Sequence, residues 1–133
     1  PLVIIDFGTA TTFCAVSDKG EYLGGAICPG VKISLEALYE NTAKLPRVDI
    51  GKPEHVIGAS TVEAMKSGTF YSYVGGVDYI ADKFKQELGK KTRVVATGGL
   101  ARLISEDSKL IDIVNPNITI DGLNMLYNKI KGR

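Results

Sequence analysis

The chain has 133 residues, a formal net charge of +1, 44% hydrophobic residues and 23% charged residues. That length supports one core of single-domain size without disulfide or metal staples, and the composition excludes a disordered or fibrous chain. A near-neutral balance excludes a long-range field for nucleic acid or an anionic membrane; with no 18-residue apolar run and no basic-then-apolar leader, a cytoplasmic protein with neither partner is expected.

In chain order, Leu2 to Phe7, Thr11 to Ser17 and Glu21 to Ile27 read as three β-rich segments. They are separated by Gly8-Thr9-Ala10 and Asp18-Lys19-Gly20, which are hairpin spacings, so the spacing predicts an antiparallel meander. Pro1 leads into the first strand with no cap, linker or start methionine, which reads as a segment cut from a longer polypeptide. Cys14 falls in the second of these strands and Cys28 directly follows the third; both lack metal-ligand spacing and are expected as buried free thiols.

Pro29-Gly30 ends the third strand, and Leu35, Leu38, Tyr39 and Thr42 then recur at helical spacing from Lys32 to Ala43, with Ser34 as the expected cap. Leu45 to His55 reads as a loop. From Ser60 to Leu88 the apolar positions predict one or two helices. The interior glycines Gly68, Gly75 and Gly76 each cost about 1 kcal/mol against Ala, so either a break near Gly68 or a close backbone neighbour is expected. After Gly89, Arg93 to Thr97 predicts a buried strand, Leu100 to Ser105 a short helix and Ile111 to Val114 another strand. Ile120, Leu123, Leu126, Tyr127 and Ile130 mark a C-terminal amphipathic helix, with Lys129, Lys131 and Arg133 at its negative dipole end. The order suggests an α/β domain with a mixed sheet, as in ribonuclease H-like domains.

Two constellations carry candidate chemistry. In Asp6-Phe7-Gly8-Thr9-Ala10-Thr11-Thr12, Gly8 permits a tight turn with exposed N–H groups, the threonine hydroxyls can donate to phosphate oxygens, and Asp6 can hold a cation. The bland alternative is a plain hairpin whose threonines suit strands. In Ala96-Thr97-Gly98-Gly99-Leu100 a strand feeds a helix, a place where nucleotides bind in open α/β sheets. Its bland alternative is a compact turn.

Taken in order, these motifs resemble the superfamily of actin, the sugar kinases and Hsp70, and more closely the type III pantothenate kinases. Asp6-Phe7-Gly8-Thr9-Ala10-Thr11-Thr12-Phe13 resembles that family's second phosphate motif, and Gly24-Gly25-Ala26-Ile27-Cys28-Pro29-Gly30 the segment after it. Leu45-Pro46, Val56-Ile57-Gly58, Ser60-Thr61, Met65-Lys66-Ser67-Gly68 and Val95 to Ala101 follow in register. The resemblance implies that residues 1–133 form the C-terminal ribonuclease H-like (actin-like ATPase) domain of a two-domain kinase. It implies transfer of the γ-phosphoryl group of ATP to pantothenate, the first step of coenzyme A biosynthesis, in a homodimer.

By the same resemblance Asp6 would bind a monovalent cation, potassium or ammonium, alongside a divalent ion such as magnesium. Thr9, with Gly8 and Thr11, would contact ATP phosphate; Gly98 and Gly99 would line the adenosine site; Thr61 would contact pantothenate. The family's first phosphate motif and the Gly-x-Asp-Arg segment that supplies the catalytic base belong to an N-terminal half absent from these residues. No catalytic residue is therefore assigned within the chain, and the chain alone is expected to be inactive. Cys14, Ala59-Ser60 and Ser72 depart from the family pattern. The readings held beside this one are a noncatalytic nucleotide-binding regulator and another small-molecule kinase of the superfamily. Gly76-Val77-Asp78 lacks the arginine, and Asp78 is expected to be a solvent-facing acid. His55 is expected at the surface, and Tyr71, Tyr73 and Tyr79 in a core or subunit interface.

Overall fold

The structure is a computed structural model that describes residues 1–132. Three strands, β1 (Leu2–Phe7), β2 (Ala10–Val16) and β3 (Tyr22–Pro29), form the expected antiparallel meander. Helices α1 (Val31–Glu40) and α2 (Thr61–Leu88) follow, then β4 (Arg93–Gly98), α3 (Ala101–Ser105), β5 (Ile113–Val114) and α4 (Ile118–Lys131). The sheet order is β3-β2-β1-β4-β5, with β4 parallel to both β1 and β5.

Period-two burial sets the strands. Val3, Ile5 and Phe7 alternate with half-buried Ile4 and Asp6, and Phe13 and Ala15 repeat the pattern on β2. This face packs with Val94 and Ala96 of β4 against Phe70, Val74, Val77 and Ala81 of α2 and Ala101 and Ile104 of α3. Phe70 is fully buried, and truncating such a residue to Ala costs about 3–5 kcal/mol.

The actin-like ATPase, ribonuclease H-like class expected from the sequence is corrected to a small five-stranded mixed sheet with four helices among the described residues. Two helices stand in succession between β3 and β4, and β5 has only two residues, so regular alternation is confined to the last third of the chain. Short motifs specify the turns that carry them; they do not specify how many elements surround those turns or how long they run.

Local expectations are also revised. α2 runs unbroken for 28 residues, and a methyl group placed on Gly68, Gly75 or Gly76 would meet nothing within 4 Å. Neither a break nor a close neighbour explains them; packing of the other face holds the helix despite their propensity cost. α1 is capped by Gly30 instead of Ser34, because Gly30 packs on the Thr9 carbonyl with no room for a side chain. Ser34 lies inside the helix, its Oγ 2.8 Å from the Tyr73 hydroxyl, which in turn donates to the Pro29 carbonyl at 2.5 Å. Tyr73 is thus a strut joining α2, α1 and the end of β3.

Asp78 is half-buried and ties α2 to the segment before β5, accepting hydrogen bonds from the Ser108 hydroxyl and, at 2.9 Å, from the Lys109 N–H. The solvent-facing reading of Asp78 is therefore wrong. Cys14 and Cys28 are free and half-buried. Among the described residues no helix is long and apolar enough to cross a membrane. Arg133, grouped with Lys129 and Lys131 from the sequence, lies outside the described residues.

Candidate functional site

Because β1 and β4 are parallel neighbours, their carboxyl ends open at the same edge of the sheet. Asp6 pairs with Thr97 and Phe7 with Gly98, so the two motifs, about ninety residues apart in sequence, become adjacent. The hairpin turn is tight: the Gly8 N–H donates to the Ala10 carbonyl at 3.1 Å. Gly98 has φ +93°, a conformation that favours glycine, and a methyl group there would lie 2.6 Å from the Phe7 carbonyl oxygen and 2.8 Å from Asp6 Oδ1. The Asp6 carboxylate and a main-chain oxygen thus face the clearing left by the missing side chain.

Beyond this edge lies a cavity of about 420 Å³ walled by Gly8 and Thr9 from the hairpin, Gly99 and Leu100 from the β4–α3 turn, and Lys32 and Ile33 from the first turn of α1. Three of the expected nucleotide residues, Gly8, Thr9 and Gly99, line one space, and Gly98 borders it in sequence. Lys32 was not anticipated. Its position depends on Gly30 seating the start of α1 against Thr9, a contact that no spacing rule announces; the available signal was a Pro-Gly pair feeding a helix with no side-chain cap.

Thr11 is placed differently. It is buried, its Oγ1 has no hydrogen-bond partner, and it lines a separate apolar crevice of about 150 Å³ with Phe13, Cys28, Tyr73 and Val77, between the sheet and α2. An unpaired buried hydroxyl carries a desolvation cost of about 1–3 kcal/mol. The structure does not bring it to the wall shared by Gly8 and Thr9. Burial alternates along β2 with Thr11, Phe13 and Ala15 on one face, a parity readable in the sequence.

Thr61 is the first residue of α2, exposed, and outside the cavity wall. The helix start is rigid: Ser60 Oγ accepts from the Glu63 N–H at 3.2 Å, and Glu63 Oε2 accepts from the N–H groups of Ser60 at 3.1 Å and Ala59 at 2.8 Å. Ser60, a departure from the resembled pattern, serves here as the cap.

Among the described residues no three His, Cys, Asp or Glu side chains gather to hold a metal. A cation at Asp6 would therefore rest on one carboxylate completed by main-chain or ligand oxygens, a hard-oxygen set that suits an alkali or alkaline-earth ion and not a soft transition metal.

The family model for type III pantothenate kinases matches residues 1–83. The fold matches a solved structure from Campylobacter jejuni described as a conserved Baf family transcriptional activator, at 16% identity and TM-score 0.63, over 98% of this chain and 59% of that one. The chain therefore spans less than two thirds of the length of that structure. That structure is described as a Baf family protein, with no actin-like ATPase named, and with the small five-stranded mixed sheet this overturns the class expected from the sequence.

Proposed function

The chain belongs to the type III pantothenate kinase family, matched over residues 1–83, and from that premise we propose that it forms the nucleotide-facing part of an ATP-dependent pantothenate kinase. The observation that carries this reading is the convergence of Gly8, Thr9 and Gly99 on one cavity at the carboxyl ends of parallel strands. There the hairpin N–H groups and the Thr9 hydroxyl would hold the ATP phosphates, and the Gly98-Gly99 turn would admit the adenosine against its backbone. Asp6 would hold a potassium or ammonium ion. That ion, with magnesium, would offset phosphate charge and would add no covalent chemistry of its own.

The carboxylate that takes the proton from the pantothenate hydroxyl is assigned to a second half carrying the Gly-x-Asp-Arg segment, so catalysis needs both halves. Thr61 stands apart from the cavity within one chain, which supports a role toward pantothenate only if it meets the site from another direction, as in a homodimer. The test is ADP release with ATP and pantothenate. The 133-residue chain alone is expected to give none, and the chain joined to a segment bearing the first phosphate motif and the Gly-x-Asp-Arg segment is expected to turn over. Turnover by the chain alone contradicts the division of labour; a joined, folded protein that binds ATP but never phosphorylates pantothenate contradicts the substrate.

A second reading, a noncatalytic nucleotide-binding regulator, is favoured by one observation, the description of the fold's match as a transcriptional activator. It predicts nucleotide binding without phosphoryl transfer in any assembly.

A further inference from the structure

The nucleotide cavity has walls of glycine, threonine and apolar side chains, with one exception. Among the described residues that line it, Lys32 alone is charged. Lys32 is exposed and takes part in none of the four ion pairs among the described residues. Its charge is therefore not neutralised by this chain. It sits in the first turn of α1, which contains no acidic residue and whose cap, Gly30, offers no side chain. The N–H of Ser34 already bonds to the Gly30 carbonyl, while those of Val31, Lys32 and Ile33 precede the first intrahelical bond. The helix end thus adds its partial positive charge to that of the lysine. Gly30 packed on the Thr9 carbonyl holds both beside the hairpin turn.

We propose that Lys32 takes the charge of the polyphosphate tail of the bound nucleotide, and so sets the preference of this site for a nucleoside triphosphate or diphosphate over the bare nucleoside. This rests on the nucleotide reading given above and names the group that discriminates within it. An ammonium is a compact charge on a flexible stem, suited to following a multiply charged tail from the mouth of a cavity. A neutral or cationic ligand would leave that charge facing it uncompensated.

The experiment is calorimetric titration of the 133-residue chain with ATP, ADP, adenosine and pantothenate, using the native protein, Lys32→Met and Lys32→Arg. Unit charges about 4 Å apart attract by about 1 kcal/mol in water and more near a protein surface. Lys32→Met is therefore expected to raise the Kd for ATP and ADP by roughly five-fold or more at low salt, with the difference shrinking as salt is raised. Adenosine affinity is expected to stay unchanged, and Lys32→Arg to restore most of the loss. An unchanged ATP affinity in Lys32→Met, an equal loss for adenosine, or a loss confined to pantothenate overturns the inference while leaving the nucleotide site standing. Native protein that binds neither ATP nor ADP overturns the nucleotide reading and this inference with it.

Discussion

Replacing Gly98 by Ala tests how the two motifs are joined. The residue has φ +93°, and a methyl group would stand 2.6 Å from the Phe7 carbonyl oxygen and 2.8 Å from Asp6 Oδ1. The carboxylate can swing aside, but the carbonyl belongs to the central strand and cannot. Holding a side-chain-bearing residue in such a conformation costs about 1–3 kcal/mol, and forcing a methyl into occupied space adds about 1–3 kcal/mol. The expected loss of about 2–6 kcal/mol is large against a total stability of about 5–15 kcal/mol. For a chain of this size it lowers the melting temperature by at least about 6 °C. Gly99→Ala is the internal control, since a methyl group there meets nothing within 4 Å and should change stability by less than about 0.5 kcal/mol. The assay is urea and thermal unfolding followed by circular dichroism. A Gly98→Ala protein that melts within 2 °C of the native one, or a Gly99→Ala protein that falls as far, refutes the reasoning.

Other expectations follow from individual contacts. Asp78→Ala removes the acceptor for the Ser108 hydroxyl and the Lys109 N–H, so it should cost about 1.5–3 kcal/mol in urea unfolding and speed amide exchange at Lys109; unchanged exchange there would count against the tether. Lys52 Nζ forms an ion pair with Asp107 Oδ2 at 2.7 Å, and the interaction with that carboxylate raises its pKa above the ordinary 10.5. A raised folded pKa means the contribution is fully present below the unfolded value and lost as pH rises through the folded one. The stability gap between native protein and Lys52→Met should therefore be flat well below the ordinary lysine pKa of 10.5 and close as pH rises past the raised folded value; a gap that closes near neutrality contradicts the assignment. In a joined, active kinase, Thr61→Val should lower kcat/KM for pantothenate by an amount equivalent to roughly 0.5–1.5 kcal/mol while leaving the KM for ATP nearly unchanged, because Thr61 lies outside the cavity walled by Gly8, Thr9 and Gly99, where we propose the nucleotide binds. An equal loss for both substrates in steady-state kinetics would place Thr61 in a shared structural role.

The meander was legible because alternation of Val3, Ile5 and Phe7 and the turn residues around Gly8 and Gly20 are local signals. The length of α2 was ambiguous because Gly68, Gly75 and Gly76 oppose it locally, whereas packing of Phe70, Val74, Val77 and Ala81 decides it globally. The adjacency of Gly8 and Gly99 followed from the family resemblance and not from either motif alone, since strand pairing joins residues far apart in sequence. Lys32 escaped notice and Asp78 was misread as solvent-facing for the same reason: each acts through a partner segment, the hairpin in one case and the loop before β5 in the other. Thr11 shares its face of β2 with Phe13 and Ala15, so alternation marks it as buried; Thr9 has the same parity and is separated from it only because it lies in the turn before the strand begins at Ala10.

We propose that the ends of β1 and β4 together form a nucleotide site. Titrating the isotope-labelled 133-residue chain with ATP and magnesium, and following backbone amide resonances by NMR, tests it most directly. Saturable shifts are expected at Gly8, Thr9, Gly98, Gly99 and Lys32, with Thr61 unaffected. Saturable shifts confined to other residues, or no saturable shift at these five, would contradict it.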